Sequence, residues 1–206
     1  MRRNEGMTLL ELMMVVAILT SVLGLLFLLS GNLQRSVAAQ EAKVSTQDDV
    51  RMGMEILMRE LRQSARSTIP WNTLPAGQIV YRRAEDVDGN GTAVDVGTFL
   101  ELGAQKTIQR DLDDANGDGV TATQLVILGG NTVQVVANGI LANEDVNGNG
   151  VLDGSEDTNR NGVLDRGVWF EPFGNGLRVT LQAQRRPGPR DSLVTSELAE
   201  IVVPRN

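Results

Sequence analysis

The most constraining feature of the sequence is an apolar run, Met7–Ser30, that carries a single charged residue, Glu11. As an α-helix rising about 1.5 Å per residue, the run would be about 36 Å long, which is enough to cross a bilayer core of about 30 Å. Arg2 and Arg3 precede it, and basic residues stay on the cytoplasmic side of a membrane. The sequence therefore predicts a helix that crosses the membrane once, with a cytoplasmic N-terminus.

Glu11 distinguishes this run from ordinary targeting segments. A secretory signal peptide has an apolar core of about 7–15 residues, and this run is longer, with no small-residue cleavage site close behind it. A plain signal anchor explains the length but not the carboxylate, because a charge inside hydrocarbon costs roughly 2.5–3.5 kcal/mol and normally serves a function. Glu11 therefore indicates a specific partner for its side chain.

The segment GMTLLELMMVVAIL, preceded by the basic leader MRRNEG, resembles the class III prepilin signal of type IV pilins. In that family a membrane peptidase cuts after the glycine, on the cytoplasmic side, and methylates the new N-terminus. The resemblance implies cleavage between Gly6 and Met7, where methionine replaces the commoner phenylalanine. It also implies an assembly role for Glu11, whose carboxylate can pair with the α-amino group of Met7 in the same or a neighbouring subunit.

An amphipathic pattern continues the apolar run. Residues with three- and four-residue spacing form one apolar stripe that predicts a core-facing helix ended by Pro70: Val50, Met54, Leu57, Met58, Leu61 and Ala65. The pilin resemblance then implies a leader at 1–6, a transmembrane helix half at 7–30, an amphipathic half at 31–69 and a globular head at 70–206 with an insertion at 143–168.

Short β-rich runs bounded by Gly, Asp and Asn predict the strands of the head. They are Gln78–Arg82, Thr98–Leu102, Thr107–Leu112, Gln124–Leu128, Val133–Val136, Leu177–Gln184 and Leu198–Val203. The turn Gly129–Asn131 predicts a hairpin between the fourth and fifth runs. The sequence therefore predicts an α+β fold, in which the long helix packs on an antiparallel sheet.

Two further stretches bear on the kind of pilin. MEILMRELRQSAR resembles both PilW-type minor pilins and the J-type pseudopilins of type II secretion, and the C-terminal strands are more similar to the PilW type. The resemblance implies a minor pilin that primes filament assembly and sits at or near the pilus tip. A J-type minor pseudopilin and a calcium-stabilised tip adhesin remain the alternatives.

Two acidic segments follow one another directly, with a twelve-residue period. They are DVNGNGVLDGSE, from Asp145 to Glu156, and DTNRNGVLDRGV, from Asp157 to Val168. The first matches the calcium-loop order D-x-[DN]-x-[DN]-G-x5-E, whereas the second has Val168 where the closing acid belongs. Because no residues separate the copies, the pair resembles bacterial Asp/Asn/Gly calcium repeats rather than a helix-flanked EF-hand. We predict Ca²⁺ (calcium) as cofactor, bound by Asp145, Asn147, Asn149, Val151, Asp153, Glu156, Asp157, Asn159, Asn161, Val163 and Asp165. The second site would be completed by Glu156, by water or not at all.

Two shorter strings, Asp86–Gly91 and Asp114–Gly119, repeat the first half of this pattern without a clear closing acid. Asn-Gly and Asp-Gly pairs form turns readily. We therefore interpret both strings as solvated turns.

Composition excludes several classes of function. The chain has no Cys and no His, so thiol nucleophiles, Cys/His zinc sites and a Ser–His–Asp arrangement are ruled out. A net charge of −7 and 3% aromatic residues argue against a nucleic-acid partner. A membrane-tethered hydrolase has no supporting motif, and we expect no enzyme. The expected partners are the prepilin peptidase and other minor and major pilins, in the inner membrane before assembly and in the extracellular pilus after it.

Overall fold

The computed structural model describes residues 9–94, 99–188 and 193–205. Within these residues, one long helix, α1, runs from Leu9 to Arg62, and seven strands follow it. The chain divides after Glu41 into two units. Gly6 and Met7 lie outside the described residues.

In the first unit, α1 exposes its apolar side chains; Phe27, for example, is 81% exposed. Among the described residues it is the one helix long and apolar enough to cross a membrane. The hydroxyls of Thr20 and Ser21 donate to carbonyls one turn back, at 2.9 Å to Val16 and 2.8 Å to Ala17. These contacts satisfy polar groups inside the helix itself, as a segment in hydrocarbon requires.

In the second unit, the stripe foreseen on α1 is buried in the core, with Val50, Met54, Leu57, Met58 and Leu61 all below 5% exposure. The helix ends at Arg62, seven residues before the predicted end at 69. The backbone leaves the helix because Ser64 bridges to Arg83 and Ala65 bridges to Arg205. These bridges bind the segment to the first strand and to the C-terminal residues that follow the last strand.

The strands form two antiparallel sheets. The first sheet contains, in this order, β1 (Ile79–Ala84), β2 (Leu102–Arg110), β3 (Gln124–Gly129) and β4 (Thr132–Asn138). The second sheet contains, in this order, β5 (Val168–Phe173), β6 (Gly176–Arg185) and β7 (Val194–Val202). The α+β prediction with antiparallel pairing is confirmed, although the sequence led us to expect one sheet.

Two strand predictions need correction. The predicted strand Thr98–Leu102, whose first residue lies outside the described ranges, is replaced by an isolated bridge between Val94 and Leu100, and β2 begins at Leu102. The strand β5 was missed, because Glu171 and Pro172 interrupt its apolar pattern. Pro172 is tolerated because β5 is an edge strand. The hairpin of β3 and β4 is confirmed, with Gly129 paired to Thr132.

A glycine lets the helix approach both sheets. A Cβ atom added at Gly53 would lie 2.8 Å from Cβ of Ala137 in β4 and 3.1 Å from Cδ2 of Leu181 in β6. Any larger side chain at this position would push α1 away from one sheet or the other. The contacts of Gly53 show that the glycine allows close packing of α1 on both sheets.

A polar cluster joins α1 to the first sheet beside this core. Glu60, which is 8% exposed, accepts a hydrogen bond of 3.0 Å from the hydroxyl of Tyr81. Lys106 Nζ lies 3.2 Å and Arg83 Nη1 3.5 Å from its carboxylate. Burial, together with the negative charge and hydrogen bond of Glu60, raises the pKa of Tyr81 well above its ordinary value.

Candidate functional site

The acidic tandem segment lies between β4 and β5 and is attached at both ends to one residue of β6. Leu141 N–H donates to the carbonyl of Gln182 at 3.2 Å, and Gln182 N–H donates to the carbonyl of Gly167 at 2.6 Å. The side-chain oxygen of Gln182 also accepts hydrogen bonds from the amides of Arg166 and Gly167, at 2.6 and 3.1 Å. The second sheet therefore holds the two ends of the segment together.

The first loop of the segment closes on its leading aspartate. Gly150, with a φ of 75°, donates its N–H to both oxygens of Asp145 at 3.2 Å. The side-chain amides of Asn147 and Asn149 both donate to Oδ2 of Asp153, at 2.8 and 3.2 Å. The side chains of Asn147, Asn149 and Asp153 thus contact one another across the loop, while Asp145 binds the backbone at Gly150.

The second loop repeats most of this geometry at the corresponding residues. Gly162 donates to Oδ2 of Asp157 at 3.0 Å. The amides of Asn159 and Asn161 donate to Oδ2 of Asp165, at 2.6 and 2.7 Å. The twelve-residue period of the sequence is therefore also a period of the structure.

Glu156 closes the first loop. Its Oε1 accepts the N–H groups of Val146 and Asn147, at 3.1 and 3.2 Å, and its Oε2 accepts the N–H of Asp153 at 3.2 Å. The last acid of the motif thus spans the loop from its second to its ninth residue.

Glu144 closes the second loop in the same way. Its Oε1 accepts the N–H groups of Thr158 and Asn159, at 2.9 and 3.4 Å, and its Oε2 accepts the N–H of Asp165 at 3.3 Å. Glu144 precedes the first loop in the chain, so the acid missing at Val168 is supplied from before the first copy. None of the three completions that we had considered for this loop included Glu144.

Burial of acid distinguishes this segment from an ordinary turn. Four of its carboxylates are nearly inaccessible: Glu144 at 1%, Asp145 at 5%, Glu156 at 7% and Asp165 at 1% exposure. Among the described residues, one ion pair reaches these four acids, and it joins Arg166 Nη2 to Asp145 Oδ2 at 3.2 Å. Buried carboxylates need a compensating charge, and oxygen ligands of this kind suit calcium.

The predicted ligands Val151 and Val163 differ from the others in using only their backbone. Their side chains are 60% and 56% exposed. Their N–H groups donate to Asn149 and Asn161 at 2.7 Å. Apolar burial therefore contributes little to holding either loop in place.

The two shorter strings also have acids close to them. Oε2 of Glu101 accepts the N–H groups of Val87 and Asp88, and the carboxylates of Asp86, Asp88 and Glu101 approach within 4.8 Å. The backbone amides of Gly91 and neighbouring residues lower the pKa of Asp86. Asp111 lies beside the string Asp114–Gly119 as Glu101 lies beside Asp86–Gly91. Its Oδ1 accepts the N–H of Ala115, the second residue of the string, at 3.0 Å. Each short string therefore has an acid beside it in the fold, although the string itself has no acid at the closing place of the pattern.

Sequence reasoning missed Glu144, Glu101 and Asp111. For Glu144 a signal was present, because it stands twelve residues before Glu156 and immediately before the aspartate of its repeat, as Glu156 does. Asp111 stands three residues before its string and Glu101 ten residues after its own, so neither occupies the closing place of the twelve-residue pattern.

In the N-terminal segment, Glu11 lies in the first turn of α1. Gly6 and Met7, the residues of the expected cleavage site, cannot be placed because they lie outside the described ranges.

Comparison with protein families gives one match. The prokaryotic N-terminal methylation motif matches residues 1–27. No curated protein and no solved structure matches the chain significantly. The motif, with one long helix and antiparallel sheets, supports a type IV pilin-like protein and favours a structural rather than an enzymatic role. It implies processing by the prepilin peptidase, assembly with other pilins and membrane anchoring before assembly.

Proposed function

We propose that this chain is a minor pilin that primes assembly of a type IV pilus and sits at or near its tip. The observation that carries the proposal is the methylation motif at residues 1–27. The helix that contains much of this motif is apolar and exposed in its first part and packs in the core of the head in its second part. A subunit built in this way inserts its first helical half into the membrane, and later into a filament, while the head remains outside.

The MEILMRELRQSAR stretch supports the minor-pilin assignment. Its apolar residues Leu61 and Ala65 are fully buried. Arg59, by contrast, faces an open groove with Arg51, Glu55 and Arg62. A charged stripe on the outer side of α1 suits contact with neighbouring subunits, whose specificity depends on complementary charge.

Deletion of the gene, with re-expression of the full chain, tests this role. A priming subunit predicts loss of surface filaments on deletion and their return on re-expression. Intact filaments with lost attachment would favour the tip adhesin instead. Intact filaments with failure of protein secretion would favour the J-type pseudopilin.

A second proposal concerns the tandem segment, which we propose binds two calcium ions. Asp145, Asn147, Asn149, Asp153 and Glu156 would hold one ion, and Asp157, Asn159, Asn161, Asp165 and Glu144 the other. The support is the reciprocal closure by Glu144 and Glu156, together with the four buried carboxylates. The ions would offset the repulsion among these acids and order a segment with little apolar burial.

Calorimetric titration of the full chain in detergent with calcium tests the second proposal. Extracellular sites of this chemistry bind at about 0.1–1 mM, and the variant Asp145→Ala/Asp157→Ala should lose both ions. Magnesium should bind far more weakly, because it gives up its water reluctantly and demands a tight octahedron. If the variant and the unmodified chain take up the same number of calcium ions, the tandem loops are not the sites.

A further inference from the structure

The loop between β2 and β3 holds a buried carboxylate that its surroundings do not satisfy. Asp111 follows the last residue of β2 and is 1% exposed. Its Oδ1 accepts the N–H of Ala115 at 3.0 Å, whereas Oδ2 has no hydrogen-bond partner among the described residues. A buried acceptor on an ionisable group normally finds a donor or a cation.

The position of Asp111 directs this carboxylate to the Asp114–Gly119 loop. Its backbone N–H donates to the carbonyl of Gln124 at 2.8 Å, where β3 begins, so the residue closes the base of the loop. Its Oδ1 reaches the amide of the loop's second residue, Ala115. Glu156 and Glu144 use the same contact, the amide of the second residue, to close the tandem loops.

The loop itself repeats the first half of the tandem geometry. Gly119, the sixth residue, donates to both oxygens of Asp114 at 3.1 Å, as Gly150 does to Asp145. Asn116 and Asp118 occupy the third and fifth places, and Nδ2 of Asn116 lies 2.9 Å from Oδ2 of Asp118. Nε2 of Gln124 donates to the same oxygen at 2.8 Å.

We propose that Asp114–Gly119 is a third calcium site, in which the free oxygen of Asp111 replaces the closing glutamate. The carboxylate oxygens of Asp111, Asp114 and Asp118 do not all lie within 4.8 Å of one another in the structure, so the loop would close around the ion. These three carboxylates and the oxygen of Asn116 would then supply the hard oxygen ligands that calcium prefers. No ion pair to these three acids occurs among the described residues. The loop is separate from the tandem segment and would fix the β2–β3 connection rather than the β4–β5 connection.

The test isolates this loop by disabling the other two. Calcium is titrated into the full chain in detergent. The starting protein carries Asp145→Ala and Asp157→Ala (the double variant), and either Asp111→Asn or Asp113→Asn is then added to it. Asparagine keeps the size and the acceptor for Ala115 but removes the charge. Asp113 is an exposed neighbour, so Asp113→Asn controls for loss of the same charge close by.

The double variant should still bind one calcium ion, at about 0.1–1 mM. Adding Asp111→Asn should weaken that binding at least about tenfold, whereas Asp113→Asn should change it less than about twofold. No binding by the folded double variant would overturn the third site while leaving the tandem sites standing. Equal binding with and without Asp111→Asn would remove Asp111 from the site.

Thermal unfolding supplies a second readout that does not depend on calorimetric sensitivity. In chelator, Asp111→Asn should unfold at the same or a higher temperature than the double variant, because it removes a buried charge near two other acids. With calcium, its rise in unfolding temperature should be smaller. An equal calcium-induced rise in both proteins would contradict the proposal.

Discussion

Glu144 and Glu156 stand twelve residues apart, and each closes the acidic loop that follows the other in the chain. Glu156 closes the loop that begins at Asp145, and Glu144 closes the loop that begins at Asp157. The two loops therefore depend on one another, because the second has no acid of its own at Val168. Removal of one glutamate should affect one loop directly and its neighbour through the shared segment.

Glu144→Gln should reduce the stabilisation that calcium gives the full chain. Binding at 100 times the dissociation constant stabilises a folded protein by about 2.7 kcal/mol per site, and the loss of one carboxylate ligand should remove most of one such contribution. Thermal unfolding in detergent, with and without calcium, measures the difference. Glu200→Gln, an exposed change of the same charge on β7, should respond to calcium like the unmodified chain. An unchanged response in Glu144→Gln would exclude Glu144 as a ligand.

Gly53→Ala should destabilise the head. The new methyl group would lie 2.8 Å from Cβ of Ala137, and overpacking of this kind costs about 1–3 kcal/mol, against a gain in helix propensity of at most about 1 kcal/mol. Gly31→Ala is the matched control, since nothing lies within 4 Å of its added Cβ. Thermal unfolding should therefore shift downward for Gly53→Ala alone. A Gly53→Ala protein as stable as the unmodified chain would show that α1 and the sheets are packed less closely here.

Tyr81 should resist ionisation until the head unfolds. Its pKa is raised by burial and by Glu60, so the folded state keeps the phenol proton above pH 10, where an unfolded tyrosine loses it. The protonated Tyr81 hydroxyl therefore makes its full contribution to the free energy of unfolding below about pH 10, and this contribution declines as the pH rises above that value. Because the chain has one tyrosine, tyrosinate absorbance reports this residue alone.

Tyr81→Phe provides the control for this titration. The variant lacks the hydrogen bond to Glu60, which should lower its free energy of unfolding by about 1–3 kcal/mol near neutral pH. Between pH 9 and 11, its free energy of unfolding should then fall less than that of the unmodified chain. Tyrosinate absorbance rising near pH 10 in the folded protein would contradict the assigned environment.

Much of this fold could be predicted from periodicity. The stripe from Val50 to Leu61 indicated a core-facing helix, and alternation from Leu177 to Gln184 indicated a half-buried strand, because each pattern is set by local geometry. The helix end at Arg62 could not be predicted, because the bridges of Ser64 and Ala65 are made to residues distant in sequence. The same reason hid Glu101, which accepts the N–H of Val87 from fourteen residues away.

Glu11→Ala should weaken assembly without preventing insertion. The helix becomes more apolar, so membrane insertion should persist, but the carboxylate that we expect to pair with the α-amino group of Met7 is lost. Co-purification with other pilins from sheared filaments measures the effect. Glu41→Ala, a change of the same kind at an exposed residue at the end of the first unit, serves as the control. Equal incorporation of Glu11→Ala and the unmodified chain would count against the pairing.

The intact mass of the protein purified from native membranes tests the pilin assignment most directly. Where the prepilin peptidase is active, the mass should correspond to a chain that begins at Met7 and carries one added methyl group. Gly6→Val should leave the leader attached. Detection of residues 1–6 on the unmodified protein under these conditions would contradict the assignment of the chain as a processed type IV pilin-like subunit.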